Sequence, residues 1–158
     1  MWTEGDRHLL CDDQIYDKPN DGQTKSDHFG DLLRVAQERG FSPECVLFDG
    51  RYSSLVNLKR LQTPGWPWLT RLKSNRRVNL DRTGLRAVSA CDIAASGSSG
   101  RARLVKVFRI VAKDGTTAHW AMSNLEMDDL DRLRLADASW RIEEYHRGLK
   151  QVTNVERC

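Results

Sequence analysis

Cys45-Val46-Leu47-Phe48 is a run of four consecutive apolar residues, opened after Pro43 and ended by Asp49-Gly50. A run this short and this apolar suits a strand covered on both faces, the habit of strands inside parallel sheets. Gly50-Arg51-Tyr52 reads as a tight exit. Ser53 or Ser54 then caps a helix that carries Leu55, Leu58 and Leu61, and Pro64-Gly65 breaks it. Residues 66–72 (WPWLTRL) form the next strand candidate and run into Lys73-Ser74-Asn75-Arg76-Arg77. Strand, helix and strand at this spacing predict a βαβ unit with parallel strands and a right-handed crossover. Residues 46–49 are expected as a central strand with Trp68–Leu72 beside it, and 78–124 as a β-rich stretch projecting from that sheet.

The flanking sequence adds elements of other kinds. Apolar stretches around Trp2 and in residues 8–16, separated by Glu4 to Asp6, predict a hairpin of modest strands. Lys18-Pro19-Asn20-Asp21-Gly22 is turn chemistry. Phe29, Leu32, Leu33 and Ala36 follow i, i+3, i+4, i+7 and predict a helix over about 28–39, capped by Ser26 or Asp27 and stopped by Gly40. Periodicity is lost over 74–103, and residues 94–101 (AASGSSGR) read as a low-complexity loop. Residues 104–111 and 117–123 flank Lys113-Asp114-Gly115, an Asp-Gly hairpin signal. Residues 128–151 predict a final helix, bent near Ser139.

The length, 158 residues, fits one ordinary domain, and 39% hydrophobic content supplies one core. No apolar run approaches the roughly 20 residues of a membrane-spanning helix, and residues 1–20 are charged throughout, so neither a membrane protein nor a signal peptide is expected. Cys11, Cys45, Cys91 and Cys158 are scattered singly, without metal-ligand or disulfide spacing. Free thiols in a reducing cytoplasm are the expectation.

The net charge of +3 conceals an uneven distribution. Residues 1–50 hold five Lys/Arg against eleven Asp/Glu, residues 51–110 thirteen against two, and residues 111–158 seven against nine. A block of +11 between acidic segments has the pattern of a surface that meets phosphate; a solvated basic face has it too. Within the block, Arg71, Lys73, Arg76 and Arg77 gather just past a strand end and are the expected DNA contacts.

Two acids carry the candidate chemistry. Asp49 ends a strand, and sites in open α/β sheets form outside the carboxyl ends of strands; a strand-exit Asp also caps ordinary turns. Glu143 lies in the last helix, where 100° per residue gathers Glu143, His146, Arg147 and Lys150 into one arc and sets Ile142, Tyr145 and Leu149 opposite. The apolar trio is expected to be buried, with the polar arc facing a cleft. Taken together, a strand-end Asp and a helix Glu can serve one pair of Mg²⁺ or Mn²⁺ ions in phosphoryl transfer on nucleic acid.

The segments VLFDGRYSSLVNLKRL (residues 46–61), WLTRLKSNR (68–76) and WRIEEYHRGLKQ (140–151), with IYDKPNDGQTKSDHF (15–29) upstream, resemble the catalytic domain of bacterial insertion-sequence DDE transposases. The resemblance covers nearly the whole chain. It implies an α/β, ribonuclease H-like mixed sheet flanked by helices, with a β-rich insertion before the last helix. The parts would be 1–77 for the first part of the core, 78–124 for the insertion and 125–158 for the C-terminal helical part. It also implies metal-dependent DNA strand cleavage and strand transfer, with DNA (the transposon ends) as partner, a homodimer of the full-length protein and no membrane. Of the family's Asp-Asp-Glu triad, Asp49 matches the second Asp and Glu143 the Glu, both as catalytic and metal ligands. Lys150 completes the E-x6-K half of the family's Y-R-E-K signature, and Lys150 and Arg147 would contact DNA. The Tyr and Arg positions of that signature fall on Ala136 and Ser139. The first Asp would end a strand upstream of the segment resembling residues 2–16, and Asp12 is read as structural. The resemblance therefore implies a fragment, incomplete at the N-terminus, with an incomplete two-metal site and no catalysis alone. A non-enzymatic nucleic-acid-binding module and a non-functional remnant stand as alternatives.

Overall fold

A computed structural model of the chain describes residues 2–4, 7–9, 18–80, 82–93, 100–102, 105–112, 114–123 and 127–153. At 2–4, 7–9, 18, 100–102, 142, 143, 146, 149, 150 and 153 it describes the backbone alone. Asp12, Asp13, Cys11, Cys158 and the loop at 94–99 lie outside the described residues. The chain divides into two compact units, one of residues 1–44 and 51–66, the other of 45–50 and 67–158.

In the first unit, β1 (Trp2–Glu4) and β2 (Arg7–Leu9) pair antiparallel with Trp2 opposite Leu9, the expected hairpin. Residues expected as a turn form a single helical turn, α1 (Lys18–Asp21), after which Gly22 takes φ +68°. Helix α2 spans Lys25–Glu38. Its cap is Thr24 rather than Ser26 or Asp27. The Thr24 hydroxyl accepts from the Asp27 amide, and the Asp27 carboxylate accepts from the Thr24 amide and hydroxyl. This reciprocal box satisfies two otherwise orphaned donors. The same bonds hold the Asp27 pKa below the ordinary carboxylate value. Gly40, at φ +75°, follows the C-terminus as expected.

Helix α3 (Leu55–Gln62) is capped by Ser54, whose Oγ accepts from the Asn57 amide. It meets α2 through polar contacts. Asn57 is fully buried, and its Nδ2 donates to Ser26 Oγ at 3.0 Å and to the Tyr52 carbonyl at 2.9 Å. The Arg60 guanidinium lies over Gly30, where any Cβ would collide with it. The rings of Phe29 and Tyr52 stack at 5.1 Å.

The second unit is built on one mixed sheet. Strand β3 (Val46–Phe48) runs parallel to β4 (Trp68–Leu72), with Val46 opposite Trp68 and Phe48 opposite Thr70, as the βαβ reading predicts. A small antiparallel pair, β5 (Arg77–Val78) and β6 (Arg86–Ala87), follows. Then β7 (Gly100–Ala102), β8 (Val105–Val111) and β9 (Thr117–Met122) complete the sheet in the order β3-β4-β9-β8-β7. Two expectations need correction. β3 is an edge strand among the described residues, not a central one. An apolar run reports that both faces of a strand are covered; it says nothing of how many hydrogen-bonded neighbours the strand has. The β-rich segment also does not project from the sheet in its last part. β9 pairs with β4, Leu69 opposite Met122, so the hairpin extends the same sheet. A run of apolar residues along β9 finds its cover by joining that sheet.

The β8–β9 turn follows the Asp-Gly signal. Gly115 takes φ +83°, and the Thr116 amide donates to the Asp114 carboxylate at 2.9 Å, which lowers the Asp114 pKa. Alternation along the strands divides the core. On one face Leu69, Phe108, Trp120 and Met122 cluster with Leu47, Ile110, Ala118, and Leu135 and Ala136 of helix α4 (Asp129–Thr153). On the other, Phe48, Trp68, Thr70, Leu72, Val107 and Ala121 are buried. Helix α4 runs through Ser139 as one helix, where the sequence suggests a bend. No helix among the described residues is long and apolar enough to cross a membrane. Cys45 and Cys91 are free thiols.

Candidate metal and nucleic-acid site

Asp49 follows directly on β3 and is half-buried. The chain on either side of it is held from the direction of β4. Thr70, almost fully buried, donates its hydroxyl to the Phe48 carbonyl at 2.7 Å. The Arg76 guanidinium donates through Nη2 to the Gly50 carbonyl at 3.1 Å. Gly50 is itself buried, and a Cβ there would lie 2.1 Å from the Arg71 carbonyl oxygen. The glycine is therefore required by a close backbone approach between the exits of β3 and β4. Asp49 thus sits between two carbonyls pinned by side chains.

Arg71 and Lys73 are exposed at the end of β4 and just beyond it, and Arg77 is exposed on β5. Arg77 also donates to the Leu85 carbonyl at 3.2 Å. Arg76 differs from them: it is half-buried, and its guanidinium is engaged with backbone. The turn that carries it is closed by Arg76 N–H to the Lys73 carbonyl at 2.9 Å, and it is tied to the segment beyond β6 by Val88 N–H to the Arg76 carbonyl at 2.8 Å.

Helix α4 lies against β3 and the Leu69 cluster through Leu135 and Ala136. Arg132 is buried in its first turns. Its Nε donates to the Asp128 carbonyl at 3.1 Å, it pairs with Asp129, and it stacks over the Phe108 ring at 5.0 Å. Burial and the neighbouring Arg132 charge push the Lys106 pKa down. Sequence reasoning missed Thr70, Gly50 and Arg132 as structural keys. The Asp-Asp pair three and four residues before Arg132 is the signal that marks it.

The expectation that Ile142, Tyr145 and Leu149 form the buried face fails at Tyr145, which is 36% exposed. Among the described side chains of α4, those that pack on the sheet are Arg132, Leu135 and Ala136, all in the helix's first half. Ala136 is partly buried against the sheet's Leu69 cluster. Arg147 is exposed, with its guanidinium over the Trp140 ring at 5.6 Å. Ile142, Leu149, Glu143 and Lys150 are on α4, and their side chains lie outside the described residues. Among the described residues no three His, Cys, Asp or Glu side chains gather into a group that could hold a metal ion. Asp49 contributes an oxygen donor of the kind that Mg²⁺ and Mn²⁺ take.

A family model described as the transposase DDE domain matches residues 8–158. The chain belongs to that family. Comparisons with curated proteins and with solved structures found no match.

Proposed function

We propose that this chain forms part of a transposase catalytic region of ribonuclease H-like fold, in which Asp49 and Glu143 hold divalent metal for phosphodiester chemistry on DNA. The observation that carries the reading is the seating of α4 on β3. Arg132, Leu135 and Ala136 mark the stripe of α4 that packs inward. Position 143 is seven residues beyond Ala136, and position 150 seven beyond that. At 100° per residue, seven residues return to within about 20° of the same direction. In this reading positions 143 and 150 follow Ala136 along the side of α4 that faces the sheet.

In this reading Asp49 and Glu143 would hold Mg²⁺ or Mn²⁺, which when bound activate the attacking oxygen and stabilise the leaving one. Arg71, Lys73 and Arg77, with Arg147 and Lys150 on α4, hold the phosphodiester backbone of the transposon ends. Among the described residues β3 has a partner strand on one side only, which leaves an edge where a further strand could pair. The chain by itself then has an incomplete metal site and little or no catalysis. The division at 77 and 124 into core, insertion and helical part is proposed on the order of the segments, and a homodimer on the family.

The test has two arms. Mn²⁺ binding, followed by electron paramagnetic resonance of the free ion, is expected for the chain and is lost in Asp49→Asn. DNA binding is expected to fall steeply with salt, since counterion release drives it, and Arg71→Ala with Lys73→Ala weakens it alike on all sequences. Mn²⁺ binding that survives Asp49→Asn defeats the site. Robust Mn²⁺-dependent nicking of supercoiled plasmid that survives Asp49→Ala defeats the mechanism.

A further inference from the structure

Four basic residues, Arg71 at the end of β4 and Lys73, Arg76 and Arg77 beyond it, lie within seven positions, and sequence reasoning treats them alike as phosphate contacts. The structure separates them. Arg71, Lys73 and Arg77 are exposed, whereas Arg76 is half-buried and donates to the carbonyl of Gly50. Gly50 is the residue next to Asp49. We propose that Arg76 is a positioning residue that holds the Asp49 carboxylate in place for metal, and not a contact to the phosphate backbone. This inference rests on the metal reading of Asp49 given above.

Three contacts converge on the Asp49 peptide segment from β4 and the turn after it. The Thr70 hydroxyl fixes the carbonyl before Asp49, and Arg76 fixes the carbonyl after it. The Gly50 Cα packs so closely on the Arg71 carbonyl that the backbone has no room to move inward. A carbonyl fixed on each side leaves the Asp49 backbone little freedom to rotate, so the direction of its Cα–Cβ bond, from which the carboxylate projects, is held. Arg76 suits this task better than Lys would. Its planar fork is pre-organised, so less freedom is lost for each bond it makes. The Arg76 backbone is itself anchored on both sides, through its N–H to Lys73 and its carbonyl to Val88. That makes it a fixed point from which to hold Gly50. Groups that orient a metal ligand without touching the metal commonly change metal affinity by about 10–100-fold when removed.

The experiment measures two quantities on the same variants of the whole chain: Mn²⁺ affinity, and the slope of log K for duplex DNA against log salt. Circular dichroism establishes that each variant is folded. Arg76→Met keeps the apolar stem and removes the donors, and it serves alongside Arg76→Ala should the shorter side chain fail to fold. Gly50→Ala disturbs the same segment from the other side, and Arg71→Ala is the DNA-contact control. The expected result is Mn²⁺ affinity lower by about 10–100-fold in Arg76→Met and Gly50→Ala, with the salt slope unchanged. Arg71→Ala should instead reduce the slope by about one and leave Mn²⁺ affinity alone. Mn²⁺ affinity within about twofold of the parent in Arg76→Met, while Asp49→Asn abolishes it, overturns the positioning role and spares the metal site. A slope reduced by about one in Arg76→Met makes Arg76 a phosphate contact and overturns the proposal. If Asp49→Asn has no effect on Mn²⁺, the metal reading fails and this inference falls with it.

Discussion

The helix pair α2–α3 and the β4–β9–β8 sheet are held by different physics. In the sheet unit, Leu69, Phe108, Trp120 and Met122 form an apolar cluster with Leu135 and Ala136 of α4 against it. In the helix pair, α2 buries no residue completely, and the junction is made by Asn57 on Ser26 and Tyr52, by Arg60 over Gly30 and by the Phe29–Tyr52 stack. Apolar burial is non-directional and grows with area, so the sheet unit gains stability from it. Buried hydrogen bonds are modest in net worth but expensive to leave unmade, so the helix pair gains its particular geometry from them. The difference matters for the candidate site, because Asp49 follows the sheet's edge strand and is placed by hydrogen bonds of the second kind.

The largest expected effect is in the sheet. Met122→Ala, at a fully buried position, should cost about 2–5 kcal/mol in denaturant unfolding, the range for large-to-small core substitutions. A cost under about 1 kcal/mol would show that the cluster is not tightly packed and would erase the contrast. Next is Asn57→Ala. It removes the donor to the Ser26 hydroxyl and one of two donors to the Tyr52 carbonyl, which keeps the Ser54 amide, and a cost of about 1–3 kcal/mol is expected. Hydrogen exchange should accelerate in α2 and α3; protection that stays unchanged there would mean that apolar contacts alone hold the pair. Thr24→Ala removes one half of the capping box and should cost about 1 kcal/mol, read as a lower melting temperature together with faster exchange at the start of α2. An effect spread evenly over the chain would argue against a local cap.

The smallest effect is a pH dependence in the sheet. Burial lowers the His119 pKa, and Arg109 opposite it across the β8–β9 ladder lowers it further. The folded value therefore lies below the ordinary 6.5. As pH falls through 6.5 the unfolded chain takes up this proton first, so stability should decline between 6.5 and the lower folded value and then level off. His119→Asn should flatten that part of the curve of stability against pH. A decline that persists unchanged in the variant assigns it to another group.

The parallel β3–β4 pair, the Ser54 cap, the Asp114-Gly115 hairpin and the last helix were all legible in residues close together in the chain. Each depends on local chemistry: an apolar run, a hydroxyl before a helix, a glycine that accepts positive φ. Asp49 was legible for the same reason, as an acid ending an apolar run. The edge position of β3 and the union of β9 with β4 were not legible, because pairing between distant segments leaves no local mark. Neither was the division of labour among Arg71, Lys73, Arg76 and Arg77. Four like charges in one short stretch look the same until the fold buries one of them against a carbonyl. The inward stripe of α4 followed the same logic. Its apolar residues pointed to Tyr145, yet the stripe is set where Leu135 and Ala136 meet the sheet, and Tyr145 is exposed. Sequence by itself determined which segments are strands and helices and which acid ends a strand, because those depend on neighbours in the chain. Only the tertiary structure decided which face of α4 turns inward and which arginine donates to the Gly50 carbonyl beside Asp49, because those depend on neighbours in space.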